Sequence, residues 1–149
     1  MKLIVKSFNE LSSRELFEIY KLRVSVFIVE QQCAYQEIDD YDLLSCHVIL
    51  KDDKNEILGY LRIIPPKVED CDIITARIGR VIAVKRRCGI GTKLLRSALE
   101  IAKEKYKAQR ITLEAQVYAR GLYEKAGFKQ ISEEYLEDGI PHIQMMLEL

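Results

Sequence analysis

The chain has no net charge, no long apolar run and no close cysteine pair. Its 23 lysines and arginines balance 23 aspartates and glutamates over 149 residues. That balance gives no broad attraction to nucleic acid or to a membrane surface, so any anion site has to be local. No stretch approaches the ~18 apolar residues of a membrane span, and Lys6 breaks the short N-terminal apolar run. We therefore expect a cytoplasmic protein without nucleic-acid or membrane partners.

The cysteines are spread along the chain and do not form a CxxC pair. Paired spacing is typical of zinc sites, and a chain long enough to build a core rarely needs a disulfide framework. We therefore expect reduced thiols and no metal site. Cys88 lies among arginines before a predicted helix, where a thiolate is favoured. The four cysteines are Cys33, Cys46, Cys71 and Cys88.

No internal repeat, low-complexity tract or linker rich in proline, glycine and serine divides the chain. Its mass of 17.3 kDa is that of one ordinary domain. We therefore expect a single domain over residues 1–149.

The hydrophobic pattern predicts a mixture of strands and helices. Ser12 to Glu15 has the form of a capping box, and apolar residues at three- and four-residue spacing extend that helix to about Glu30. SCHVILK and EILGYLRII flank the turn formers DDKN, which predicts a hairpin over residues 45–64. This order is typical of an α/β or α+β fold in three layers. The other predicted elements are strands at LIVKSF, ARIGRVIAV, RITLEAQ, FKQISEEYL and HIQMMLEL, and helices at 92–107 and ARGLYEKAGF, ending at Gly127.

The stretch RRCGIGTKLL, residues 86–95, combines cations and glycines at a predicted strand-to-helix junction. Such a junction brings together free backbone N–H groups, the positive end of the helix dipole and cations, a combination that suits phosphate. Gly89 and Gly91 either admit a ligand close to the backbone or permit positive φ, and Thr92 can cap the helix or donate its hydroxyl. The alternative is a plain turn punctuated by glycine.

Two familiar phosphate loops do not match this stretch. The spacing from Gly89 to Lys93 is too short for the P-loop pattern GxxxxGK[ST], and Leu94 stands where GxGxxG needs its third glycine. The pattern that matches is RxxGxG over residues 86–91. It resembles the acyl-CoA pyrophosphate loop of the GCN5-related N-acetyltransferase (GNAT) superfamily.

Further segments extend the resemblance over nearly the whole chain, in the order seen in ElaA-like GNAT proteins. The resemblance implies a three-layer α/β (α+β) fold with a mixed central sheet of six to seven strands and about four helices. The segments are LRVSVFIVEQ (22–31), His47, GYLRI (59–63), IGRV (78–81), EAQVYARGLYEKAGF (114–128) and YLEDGIPHIQM (135–145).

Acetyl-CoA is the co-substrate that the resemblance implies, without a metal. In the GNAT fold, the strand before the loop separates from the next strand, and its backbone then bonds the pantetheine arm. The resemblance assigns that role to Ile82, Ala83 and Val84, with Gln116 bonding pantetheine or loop backbone. It assigns the diphosphate to Arg86, Arg87, Cys88, Gly89, Ile90, Gly91 and Thr92.

Tyr123 lies where the family often carries a tyrosine near the coenzyme sulfur. There a phenol can act as general acid toward the departing thiolate, and the alternative is a half-buried packing tyrosine. We therefore expect Tyr123 both to contact the coenzyme and to take part in catalysis.

An amine acceptor also has to lose a proton, so a base is needed. The resemblance places Glu30, His47 and His142 around the acceptor cleft as candidates for that base. His47 equally fits a structural histidine, His142 a tight strand entry and Glu30 a helix end. The resemblance places Gln31, Arg80 and Asp138 nearby, as acceptor-binding groups together with His142.

The expected function is N-acetyl transfer from acetyl-CoA to a primary amine of a small molecule or peptide, by direct attack in a ternary complex. One alternative is an acyl-CoA sensor without turnover, and another is a module that binds peptides on an edge strand. Pairing of C-terminal strands between two copies allows a homodimer. Acidic residues in the segment 37–53 suit either a cationic amine or a solvated loop: Glu37, Asp39, Asp40, Asp42, Asp52 and Asp53.

Overall fold

A sheet of eight strands runs through the residues that this computed structural model describes, 1–68, 73–86 and 88–149. The spatial order is β1-β2-β3-β4-β5-β8-β6, with β7 beside β8, and the β4–β5 pair is parallel while the other described pairs are antiparallel. The strands are β1 (Lys2–Ser7), β2 (Cys46–Lys51), β3 (Ile57–Ile64), β4 (Thr75–Ala83), β5 (Arg110–Gln116), β6 (Lys129–Gln130), β7 (Tyr135–Glu137) and β8 (Ile140–Glu148).

Helices cover both faces of this sheet, as the predicted three-layer arrangement requires. Ile19 packs with Ile49 and Tyr60 on one face. The larger core, which includes Leu94 and Leu95, fills the other face. The fold prediction is confirmed, with one strand more than expected. The helices are α1 (Ser13–Arg23), α2 (Tyr41–Leu44), α3 (Ile90–Tyr106) and α4 (Arg120–Lys125), with a π-helical segment at Val24–Glu30 and short 3₁₀ turns at Phe8–Glu10 and Val117–Ala119.

The first helix begins as predicted and changes its winding halfway. Ser12 Oγ accepts from the Glu15 amide at 3.1 Å, and the Glu15 carboxylate accepts from the Ser12 amide at 2.8 Å, which completes the capping box. The predicted helix does extend to Glu30, but α geometry ends at Arg23 and a π-helical segment follows. That segment, VSVFIVE, is rich in β-branched side chains, which crowd the turns of an α-helix.

The C-terminal strands differ from the prediction. FKQISEEYL forms two short strands, β6 and β7, because the ladder breaks at residues 131–134, where Ser132 Oγ accepts from the Gln144 amide at 2.8 Å. Both strands pair with β8, whose other edge pairs with β5. Since β8 is interior, a homodimer built through the C-terminal strands would have to use β6 or β7, which both lie on its outer edge.

The described thiols Cys33, Cys46 and Cys88 are free, and Cys71 lies outside the described residues. Among the described residues, no group of three or more histidine, cysteine, aspartate and glutamate side chains is arranged to hold a metal ion. None of the described helices is long and apolar enough to cross a membrane.

Gly59 lets the first turn of α3 pack directly onto the sheet. A Cβ at this position would lie 2.6 Å from Leu94 Cδ1, 2.8 Å from Ile90 Cγ2 and 2.9 Å from the Ile82 carbonyl oxygen. The carbonyl belongs to the backbone of β4, so it cannot move aside as a side chain can. Gly59 therefore fixes the distance between the start of α3 and the end of β4.

We predict that Gly59→Ala lowers the free energy of unfolding by about 1–3 kcal/mol, because the added methyl overpacks this contact. Gly121→Ala in α4 is the control, since its Cβ meets no atom within 4 Å and alanine favours a helix. Urea denaturation measures both variants. A Gly59→Ala midpoint equal to that of the wild type would contradict this packing.

Candidate active site

The neighbouring strands β4 and β5 separate halfway along their length. Their parallel ladder runs from Thr75↔Arg110 to Ile78↔Leu113. Beyond that point β4 continues to Ala83 beside β3, while β5 continues to Gln116 beside β8. The two strands follow different neighbours, so a gap opens between them.

A bulge in β4 explains where the separation begins. The β3–β4 register passes from Arg62↔Gly79 to Tyr60↔Ile82, so Arg80 and Val81 together lie opposite Leu61. Arg80 has φ 55°, in the left-handed region. An extra residue of this kind bends its strand and increases the local twist, which turns β4 away from β5.

Past the bulge, alternate residues of β4 turn their backbone groups toward the gap. The Val84 amide donates to the Leu58 carbonyl at 2.9 Å, so Val84 points toward β3. Because successive residues of a strand direct their N–H and C=O groups to opposite sides, Ile82 also faces β3. Val81 and Ala83 face the gap. The predicted pantetheine bonds from Ile82 and Val84 are therefore corrected, and the bond from Ala83 stays a prediction.

A cleft of about 600 Å³ lies beside this gap. The π-helical segment and the loop after it form one wall, and the exposed sides of β4, β5 and β8 form the others. The predicted site residues that line it are Gln31, Arg80, Gln116, Tyr123, Asp138 and His142. Glu30 is exposed at the end of the π-helical segment and is not among the lining residues.

The loop after β4 leads into a helix whose first turn has no side-chain cap. Gly89 is the N-cap residue with φ 75°, and the Lys93 amide bonds its carbonyl. The amides of residues 90–92 therefore belong to the uncapped first turn of a 17-residue helix. Arg86 is exposed next to this turn and lies over the Tyr118 ring. The arrangement fits a diphosphate in charge and in donors.

The remaining predicted residues of this loop differ in setting. Cys88 is exposed, and its thiol lies 3.5 Å from the Arg86 carbonyl oxygen. Gly91 is buried, and a Cβ there would lie 3.1 Å from a Leu122 methyl, so this glycine serves helix packing. Arg87 lies outside the described residues.

Tyr123 lies in α4 with its ring edge-on to Phe128, 6.1 Å between centroids. The residue is buried, yet it lines the cleft. Burial raises the pKa of Tyr123 well above its ordinary value. The phenol therefore stays protonated and can serve as a hydrogen-bond donor.

His47 does not reach the cleft, which corrects its assignment as a catalytic base. The residue is fully buried on β2, and both ring nitrogens are engaged. Nε2 lies 2.9 Å from the Asp42 carbonyl oxygen, which can only accept, so Nε2 carries the proton. Nδ1 then accepts from the Tyr60 hydroxyl at 2.7 Å. Burial lowers the pKa of His47 and favours this neutral ring.

His142 has the opposite setting, at the edge of the cleft. Its Nδ1 lies 2.7 Å from the Ile140 carbonyl oxygen and therefore carries the proton in the neutral ring. In that tautomer the lone pair is on Nε2, which lies 4.0 Å from the Glu137 carboxylate. The Glu137 side chain also lines the cleft, where burial and the neighbouring Glu114 carboxylate raise its pKa.

A buried ion cluster of three arginines and three carboxylates adjoins the cleft, and the sequence analysis did not predict it. Arg23, fully buried at the end of α1, donates to Glu37 at 2.6 Å and to Asp42 at 2.6 Å. Burial alone would raise the pKa of Asp42, but the hydrogen bond and charge of Arg23 outweigh it and lower that pKa. The members of the buried ion cluster are Arg23, Glu37, Asp39, Asp42, Arg62 and Arg80.

The buried ion cluster connects α1 to the β4 bulge through the loop after the π-helical segment. Arg62 on β3 bonds Asp39 at 2.6 Å and Asp42 at 3.0 Å. Arg80 on β4 bonds Glu37 at 2.8 Å. Three of the six acidic residues in the segment 37–53 are thus not free to bind a cation, because Glu37, Asp39 and Asp42 are all paired with arginines. The signal for this cluster in the sequence is Arg23, an arginine within the apolar face of the predicted helix.

The described geometry agrees with comparisons to known proteins. The family model of the acetyltransferase (GNAT) domain matches residues 13–149. The chain belongs to the GNAT acetyltransferase family. GNAT proteins take an acyl group from acyl-CoA and transfer it to amine acceptors, and the chain is an acyltransferase.

Relatives of this GNAT chain match it from end to end. It is 43% identical to a UPF0039 protein of Schizosaccharomyces pombe, over 100% of this chain and 98% of that protein. The crystal structure of Escherichia coli ElaA superposes with a TM-score of 0.89 at 34% identity, covering 99% of each chain. An acyl-CoA N-acyltransferase from Pseudomonas aeruginosa superposes with a TM-score of 0.88 at 34% identity, covering 98% of this chain and 99% of that one. The chain is thus similar to the ElaA-like branch.

We predict that His47 makes the protein less stable in mild acid. Burial lowers its pKa below the ordinary 6.5, so its contribution is complete above about pH 6.5 and is lost as pH falls through the folded-state pKa. The free energy of unfolding should fall by at most about 1.4 kcal/mol per pH unit through this group. Urea denaturation of the wild type and of His47→Gln between pH 7.5 and 5.5 measures the difference, and an unchanged slope in the variant would contradict it.

Proposed function

We propose that this chain is an N-acetyltransferase that moves an acetyl group from acetyl-CoA to a primary amine of a small molecule or peptide. The amine attacks the thioester directly while both substrates are bound. The observation that carries the proposal is the gap between β4 and β5, with an uncapped helix start at one end and a cleft beside it. A slender coenzyme arm with amide groups is a ligand that suits such a gap.

The coenzyme would be held mainly by backbone groups. Val81 and Ala83 offer N–H and C=O groups to the pantetheine amides, each bond contributing about 0.5–1.5 kcal/mol. Arg86, Arg87 and the amides of residues 88–92 would hold the diphosphate, with charged hydrogen bonds of about 1.5–3 kcal/mol each. Gln116 lines the cleft and would bond the pantetheine or the acceptor.

Tyr123 would donate a hydrogen bond to the thiolate sulfur as it departs. A phenol whose pKa is raised by burial does not readily surrender its proton to a thiolate of pKa about 8.5. It can still stabilise the developing charge, because a neutral donor fixed in a dry site needs no reorganisation during the reaction.

His142 would accept the proton of the attacking amine. Because Nδ1 donates to the Ile140 carbonyl in the neutral ring, Nε2 would carry the lone pair, and His142 lines the cleft. The Glu137 carboxylate 4.0 Å away would stabilise the imidazolium that forms. Gln31 and Asp138 line the same cleft and would contact the acceptor.

We predict that acetyl-CoA raises the melting temperature of the protein, and that at least one primary amine yields acetylated product and free CoA in equal amounts. Mass spectrometry should follow both products, because the exposed Cys88 would react with a thiol reagent. Binding without product above hydrolysis would favour the acyl-CoA sensor. No rise in melting temperature would contradict coenzyme binding altogether.

Two variants separate binding from turnover in this assay. Gly89→Val should raise the Kd of acetyl-CoA at least tenfold, because valine is strained at φ 75° and the first-turn amides would shift. Gly139→Val is its control, with φ 76° and equally open surroundings in the turn between β7 and β8. Tyr123→Phe should keep the Kd within twofold and lose at least tenfold in kcat.

We predict that His142→Gln lowers kcat by about 100-fold or more, the usual contribution of a general base. The acidic limb of its pH–rate profile should flatten, while acetyl-CoA affinity stays within threefold. His47→Gln is the matched control, because the His47 ring lies outside the cleft. This variant should keep the acidic limb of the pH–rate profile. An acidic limb that survives in His142→Gln would reject His142 as the base.

A further inference from the structure

Arg80 combines an unfavourable backbone conformation with an unusually well-held side chain. Its φ of 55° lies in the left-handed region, which residues with a Cβ avoid, and it falls inside a strand. Conformations of this kind persist only where the surroundings impose them. Contacts of neighbouring groups with Arg80 therefore have to hold it in this conformation.

The contacts of the Arg80 side chain supply that restraint. Nε donates to the Glu37 carboxylate at 2.8 Å, and Nη2 donates to the Glu37 main-chain carbonyl at 2.8 Å. The guanidinium also lies 5.8 Å from the centre of the Tyr35 ring. The side chain and the main chain of Glu37 thus both accept hydrogen bonds from the Arg80 guanidinium.

Glu37, the partner of Arg80 in these hydrogen bonds, is itself held in the protein interior. Glu37 is 3% exposed, and its carboxylate also accepts from Arg23, which is 0% exposed. Arg23 belongs to α1, so Glu37 cannot shift without disturbing a fully buried charge. Glu37 is therefore a fixed point against which Arg80 is held.

We propose that Arg80 is a positioning residue: its ion pair with Glu37 holds the β4 bulge in the shape that aligns Val81 with the acyl group. This inference rests on the proposed function. Val81 follows Arg80 directly, lines the cleft and turns its backbone toward the gap, where an N–H can polarise a thioester carbonyl. Arg80 itself is a poor anion site, because Glu37 and Asp39 already compensate its charge.

Alanine and glycine at position 80 distinguish positioning from direct contact with the acceptor. Both remove the guanidinium. Glycine adopts positive φ without strain, whereas alanine is free to leave the left-handed region once the restraint is gone. If Arg80 acts through the bulge, the glycine variant keeps much of the kcat that the alanine variant loses. If Arg80 binds the acceptor, the two variants are equally impaired.

The experiment measures kcat, the KM of the amine and the carbonyl stretch of bound [1-¹³C]acetyl-CoA by infrared difference spectroscopy. Arg80→Ala should lose at least tenfold in kcat with the amine KM within threefold, and its carbonyl band should move toward the solution frequency. Arg80→Gly should keep at least threefold more kcat than Arg80→Ala, with a band closer to that of the wild type. Arg77→Ala is the control for the band, since Arg77 lies on the same strand and lines the same cleft.

Equal kcat in the alanine and glycine variants, or a raised amine KM with unchanged kcat, overturns the proposal. The infrared band needs no turnover, so it tests Arg80 even if no amine is acetylated. In that case a band that moves in Arg80→Ala and recovers in Arg80→Gly supports the positioning role while the transfer reaction fails. A wild type that binds no acetyl-CoA overturns both proposals.

Discussion

The parting of β4 from β5 is the constraint on which the rest of the site depends. Two parallel strands that pair along their whole length would fill the gap with their own hydrogen bonds. Here the ladder stops at Ile78↔Leu113. Beyond the bulge at Arg80 and Val81, the rest of β4 pairs with β3. The gap therefore presents backbone groups that the fold has left available. Gly59 brings the start of α3 close to the end of β4, so the uncapped amides stand at one end of the same gap.

The buried ion cluster is costly as a source of stability and well suited to fixing geometry. Removing charged groups from water carries a large penalty, and a well-packed apolar core often serves stability as well or better. The three arginines and three carboxylates form hydrogen bonds of specific direction. These bonds fix the loop after the π-helical segment relative to α1, β3 and β4. His47 and Tyr60 extend this network through hydrogen bonds, which explains a fully buried histidine in a protein with only two histidines.

Local signals predicted most of the elements, and contacts between distant segments account for the errors. The capping box at Ser12, the hairpin over residues 45–64 and the loop before α3 depend on neighbours in sequence. The orientation of Ile82 and Val84 depends on the register with β3, and the division of FKQISEEYL depends on Ser132 bonding β8. The burial of His47 and the pairing of Glu37 with Arg23 join segments far apart in the chain, and a single sequence does not reveal such contacts.

The central claim is that the gap between β4 and β5 receives the coenzyme. A crystal structure with bound acetyl-CoA tests it most directly. The account predicts the pantetheine arm between the two strands, hydrogen-bonded to the backbone of Val81 and Ala83, and the diphosphate at residues 86–92. A coenzyme bound elsewhere, or a gap closed by the side chains of the protein itself, would contradict it.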